Sequence, residues 1–147
     1  MSTPASVARH PLHPILIPLP IGLWVFSLVA DLVFLAGWGG PTWKAVAWYT
    51  MGGGIVGAVL AAVPGLIDFF SITDRRAGQV AIRHLICNGA ALVLFVISFV
   101  LRFRDPMGGV PVAVSVIAIV ALGIGGWLGG ELVFVHGMGV KPPPNRR

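Results

Sequence analysis

Apolar residues run along this chain in four long stretches, roughly 15–38, 45–70, 81–101 and 110–135, parted by short segments rich in glycine, proline and charge. Each stretch has at least the ~20 residues a helix needs to cross the hydrocarbon of a bilayer. Alternation with period two is absent, and only helices or closed barrels span lipid, so the pattern predicts helices. The expected architecture is all-α and integral to the membrane: a four-transmembrane-helix bundle that takes up residues 1–147 as one domain. The first stretch is too long for a signal-peptide core and has no convincing small-x-small cleavage site behind it, so it reads as a retained span.

Composition agrees. Of 147 residues, 56% are hydrophobic and 10% charged, and the mean hydropathy is +0.92, a balance that belongs to membrane proteins. The net charge of +5 needs no nucleic acid to explain it. Four spans put both termini and the middle loop on one side, with Arg9, Arg75, Arg76, Arg83, Lys141, Arg146 and Arg147. The other side holds Lys44, Arg102 and Arg104. The positive-inside rule then predicts that both termini are cytoplasmic. Lipid is the expected partner, and a polybasic patch for anionic headgroups fits the same charges. The single cysteine, Cys87, excludes an intrachain disulfide.

Polar positions inside the apolar runs carry the candidate chemistry. Residues 1–8 look like a frayed tail. His10 and His13 each precede a proline, which predicts extended backbone at both, with Pro14 opening the first helix. Pro18 and Pro20 should bend its beginning and delay regular helix to about Ile21. Asp31 lies deep in the first span, where a carboxylate is either functional or a hydrogen-bonded glue between helices, for instance through Ser27. The second span has a small-residue stripe, Gly54, Gly57, Ala61 and Gly65, that reads as helix packing and leads into Asp68. His84, Cys87 and Asn88 form one polar face of the third span. The fourth carries the overlapping pairs Gly125/Gly129 and Gly126/Gly130, then Glu131 and His136; such pairs can pack helices within one chain or build a homo-oligomer. The segment beginning at Asp31 also echoes the one beginning at Glu131, a similarity that coincidence or an inverted repeat would explain.

All four histidines, His10, His13, His84 and His136, are thereby expected near the cytoplasmic helix ends with Asp68 and Glu131, among Arg9, Arg75, Arg76 and Arg83. Three roles compete. Haem b would take an axial pair, His84 with His13 or His136, with His10 behind them or on a second centre. Gly22, Gly65, Gly89 and Gly130 would give the macrocycle room, and arginines such as Arg83, with Asn88, would serve its polar edge. The expected position of the histidines at span ends is shallow for that role. A non-haem metal such as Zn²⁺, Fe²⁺ or Mn²⁺ would draw on the four histidines with Asp68 and Glu131, though no HExxH or CxxC pattern is present. Third, the histidines could be structural. Asp31 is the expected discriminator, needed by an ion path and dispensable (Asp31→Asn) to a one-sided haem site. No nucleophile–base pairing or phosphate loop points to an enzyme.

His10-Pro-Leu-His-Pro with Pro20-Ile-Gly-Leu-Trp, Gly65-Leu-Ile-Asp68, His84 with Asn88, and the block from Gly126 to Val140 together resemble a bacterial membrane family catalogued as domain of unknown function 2231. The likeness covers nearly the whole chain in the right order, with Phe134 and Met138 where Tyr and Val are usual. It implies a four-helix membrane protein. Some members are similar to, or fused with, Rieske iron–sulfur or cytochrome-type modules, which implies an electron-transfer setting and a redox partner. No activity is assigned to the family.

Overall fold

The computed structural model describes residues 3–8, 10–106 and 108–140. Arg9, Lys141, Arg146 and Arg147, whose charges entered the topology, lie outside the described residues. A two-residue antiparallel pairing of β1 (Ser6–Val7) with β2 (His10–Pro11) precedes five helices: α1 (Leu12–Leu16), α2 (Pro18–Leu35), α3 (Thr42–Phe70), α4 (Arg75–Leu101) and α5 (Gly109–Phe134). With α1 and α2 taken as one interrupted span, four helices are long and apolar enough to cross a membrane. The protein is a four-transmembrane-helix bundle.

The helix ends follow local chemistry. Gly37, Gly39 and Gly40 all adopt positive φ in the turn between α2 and α3, a conformation that glycine reaches without the Cβ penalty. The helix α4 begins at Arg75, six residues ahead of the apolar run, because Asp74 caps it: the Asp74 carboxylate accepts a 2.7 Å bond from the Ala77 N–H. Hydropathy is blind to such a polar first turn. At the amino end, regular helix resumes at Pro18 after Ile17, three residues sooner than the prolines suggested, since a proline at the first helical position lacks only an N–H that would go unused.

Each hairpin, α2 with α3 and α4 with α5, is tightly packed within itself, and the two meet along a sparser seam. They repeat one register. His13 and Ser27 bond to the carbonyls of Ala61 and Ala47, and His84 and Ser98 to those of Gly125 and Pro111. Both the donors and the acceptors are fourteen positions apart in each hairpin. The first helices are therefore related by an offset of 71 positions and the second helices by 64. Both hairpins start at the same end of the bundle, so this is a parallel two-fold repeat. The Asp31/Glu131 echo is not part of it. Asp31 is fully buried at one end of the bundle, whereas Glu131 is half-buried near the other.

Three pairs of equivalent residues meet where the hairpins face each other: His13 with His84, Trp24 with Phe95, and Asp31 with Arg102. Side chains at equivalent positions touch only close to the two-fold axis itself. The middle pair is the heart of the core. Trp24 and Phe95 stack at 4.2 Å and 12° between Met51, Ala91, Ala118 and Leu122. Gly54 leaves the space that the indole fills, for a Cβ there would stand 2.5 Å from Trp24. The small-residue stripe of α3 is packing, as expected, with Pro20 on Gly57 and His13 on Gly65.

Candidate functional site

At the end opposite the histidines, Asp31 and Arg102 form a buried, two-pronged ion pair, with Nη1–Oδ1 at 2.7 Å and Nη2–Oδ2 at 2.5 Å. The same guanidinium donates to the hydroxyls of Ser98 and Ser115 and to the Pro106 carbonyl. All five of its N–H groups are thereby used, the number a guanidinium has. Arg102 is only 2% exposed and Asp31 0%. Arg102 is thus no solvent-side charge marking the end of a span. Nor does Asp31 act through Ser27, whose hydroxyl goes to Ala47. Asp31→Asn also cannot separate an ion path from a haem site, because it breaks a buried ion pair under either reading.

The histidine end is built differently. His13 lies in α1 and is helical rather than extended, its ring drawn inward by a 2.8 Å bond from Nδ1 to the Ala61 carbonyl. His84 makes the equivalent 2.8 Å bond to Gly125. Since a carbonyl only accepts, Nδ1 carries a proton in both rings, and in a neutral imidazole Nε2 then keeps its lone pair. Each ring rests on a glycine one turn beyond its acceptor. A Cβ on Gly65 would stand 2.7 Å from His13, and one on Gly129 3.0 Å from His84. Asn88 lies on Gly125 and donates to the His84 carbonyl at 2.8 Å, steadying that turn of α4. The Gly125/Gly129 pair is therefore a seat for polar side chains, beyond the helix packing expected of it.

The two imidazoles are half-buried, with ring centres 6.3 Å apart and planes at 83°. His13 is the second residue of its span, Leu12–Leu35, as expected of a span end. The acceptors Ala61 and Gly125 each lie nine residues before the last residue of their helix, and His84 nine after the first of α4, or about 13 Å along each helix. The early start of α4 accounts for the position of His84.

The other expected ligands stay apart. His10 is exposed and bonds to the Ala8 carbonyl at 2.9 Å. Arg83 is exposed, on a different face of α4 from its neighbour His84. Asp68 is buried, and its Oδ1 accepts the Ala5 N–H at 3.0 Å. Glu131 and His136 are half-buried around the last turn of α5, joined through the backbone from the His136 N–H to the Glu131 carbonyl. Among the described residues, no three His, Cys, Asp or Glu side chains come close enough to hold one ion. The expected six-residue metal centre of His10, His13, His84, His136, Asp68 and Glu131 is therefore not assembled, because their helices point them in different directions. Of the glycines expected to face a macrocycle, Gly65 is filled by His13, while Gly22 and Gly89 are exposed with open space before them.

Sequence reasoning missed Arg102 as the partner of Asp31, and it missed the repeat. The signal was present at an offset of 71: His13/His84, Ile15/Ile86, Leu23/Leu94, Val25/Val96, Ser27/Ser98 and Val29/Val100 are identical pairs.

Fold and site together define a four-span α-helical membrane protein with two equivalent histidines facing each other across the seam between its hairpins. The chain belongs to the family of predicted membrane proteins known as domain of unknown function 2231 (DUF2231), which matches residues 9–142. No curated protein and no solved structure matches it.

Proposed function

We propose that this protein binds haem b between His13 and His84 and works in membrane electron transfer. The observation that carries the reading is the pair itself: two facing imidazoles, each with Nδ1–H tied to a backbone carbonyl and Nε2 left as a donor to metal. That hydrogen bond is how proteins commonly fix the tautomer and orientation of a ligating histidine. Two imidazoles bound on opposite sides of one ion, through bonds of about 2 Å, have ring centres about 6 Å apart. The 6.3 Å spacing fits. A bare ion asks the protein for three or four ligands, whereas haem iron asks for only the axial two. A pair without a third partner among the described residues therefore favours haem.

Bound there, haem would supply a one-electron iron couple. The chain's own residues hold and isolate it. Ala61 and Gly125 orient the rings, Gly65 and Gly129 admit them, and the Trp24–Phe95 stack closes the bundle behind them with apolar surface. That plug argues against a continuous ion path to Asp31. Exposed Arg75, Arg76 and Arg83 at the histidine end, against exposed Arg104 and half-buried Lys44 at the other, support a cytoplasmic position for the histidines in a bacterial inner membrane. A redox protein on that side would be the electron partner.

The test is an optical spectrum of the detergent-purified protein, oxidised and dithionite-reduced, with elemental analysis of the same sample. A Soret band with sharp reduced α and β bands, lost in both His13→Ala and His84→Ala, is expected. A colourless protein that takes up no added haem overturns the reading. Stoichiometric zinc, iron or manganese without a Soret band would assign the pair to a non-haem ion instead.

A further inference from the structure

The two halves of the site are equivalent in register and unequal in how they are held. His84 sits in the third turn of a 27-residue helix and is backed by Asn88. His13 is the second residue of its span, in the five-residue α1. The backbone stays helical at Ile17, but Pro18 and Pro20 lack the N–H groups that would bond back to α1, so this turn needs tertiary support. Part of that support is α3, on which α1 packs and where His13 bonds to Ala61, and part comes from residues 3–8. They turn back over α1 through the Ser6–Pro11 pairing and the bond from the Leu12 N–H to the Ala5 carbonyl. Beyond α1, one hydrogen bond among the described residues fastens residues 3–8 to a membrane-spanning helix, from the Ala5 N–H to the Asp68 carboxylate. The register makes Leu132 the counterpart of Asp68 in the second hairpin, so this fastening exists on one side only.

We infer that Asp68 is the latch of an amino-terminal strap that positions His13, and that His13 is the releasable member of the histidine pair. The inference rests on the proposed pairing of His13 with His84 at one centre. The latch itself can be read without any cofactor. Releasing the Ala5 N–H frees residues 3–8 and loosens α1, whose hydrogen bonding to α2 is thinned by Pro18 and Pro20, so that His13 can leave Ala61. His84 keeps its place, because nothing in its support passes through the strap. With haem bound, opening would vacate one axial position for a small external ligand.

Hydrogen–deuterium exchange on the detergent-solubilised full chain tests the latch. In Asp68→Ala, the backbone amides of residues 12–17 should exchange about tenfold faster or more, the scale set by losing one hydrogen bond to a charged acceptor. Residues 80–90 around His84 should not change. Asp68→Asn keeps an acceptor oxygen and should restore most of the protection. Ala5→Pro removes the donor without touching α3 and should reproduce the acceleration if Asp68→Ala proves unstable. Unchanged exchange at 12–17, or an equal rise at 80–90, overturns the latch. On haem-loaded, reduced protein, carbon monoxide should bind faster in Asp68→Ala than in wild type. Equal rates, with faster exchange at 12–17, would overturn His13 as the releasable ligand. Failure to load haem would remove the proposed cofactor, while the exchange result would still decide the latch.

Discussion

The bundle carries two polar pairs on its pseudo-two-fold axis, one toward each end, and they could hardly be more different. At Asp31–Arg102 every donor of the guanidinium and both carboxylate oxygens are used, and water is shut out. At His13–His84 each ring spends one nitrogen on its own hairpin and keeps the other uncommitted. A closed polar pair can only hold a structure together, whereas an open one can take a ligand. The same repeated register thus serves as a clamp at one end and as a candidate site at the other. Equivalent positions take unlike residues, Asp and Arg, where the pair must satisfy itself. They take like residues, two histidines, where each ring bonds to a carbonyl of its own hairpin.

The largest expected effect is at the clamp. Asp31→Ala leaves a buried guanidinium unpaired and should cost about 3–5 kcal/mol of stability, read from thermal or denaturant unfolding in detergent. Replacing both partners by apolar residues, as in Asp31→Leu with Arg102→Met, should recover most of that loss, since unpaired charge and not the missing bond dominates. Equal damage in the single and double variants would mean that the clamp does more than satisfy itself.

His84→Ala should show the reverse profile, losing all haem absorbance while losing only about 1 kcal/mol of stability, the scale of one neutral hydrogen bond. If stability falls as far as in Asp31→Ala, the distinction between clamp and site collapses. Gly129→Ala sharpens the contrast within one helix. Its Cβ would press on the His84 ring, which should cost about 1–3 kcal/mol by overpacking and weaken haem retention. Gly126→Ala meets open space and should be neutral, or stabilising by up to about 1 kcal/mol through helix propensity. Trp24→Phe should cost less than about 1.5 kcal/mol, as a near-conservative apolar swap. The indole Nε1 has no hydrogen-bond partner among the described residues, so the change gives up ring area but no bond. Absorbance at the histidine end should not respond to it.

Much of this was legible before any coordinates. Four apolar runs, glycine-rich turns and the packing stripe on α3 depend on residues near one another in the chain, and each expectation held to within a few positions. The polar face of His84, Cys87 and Asn88 was visible as well, because helical periodicity alone brings it together. Residues 3–8 were misjudged as a frayed tail. They pair with His10 and Pro11 and bond to Asp68, more than sixty positions away, and no local pattern reports that last contact. Arg102 was misjudged for a similar reason: a charge at the end of an apolar run looks like an interfacial anchor unless its partner across the bundle is known.

By itself, then, the sequence determined that this is a four-span helical membrane protein and which few polar residues would have to be accommodated inside it. Hydropathy and helix periodicity are properties of contiguous residues, and lipid leaves the backbone almost no alternative. Only the tertiary structure decided how those residues pair. His13 could have met His10, His84 or His136, and Asp31 could have met Ser27 or Arg102, with the same four helices in every case. What selects among them is the register in which the two hairpins face each other. That register is set by rings seated on glycines and by carbonyls accepting a second bond, contacts between residues tens of positions apart.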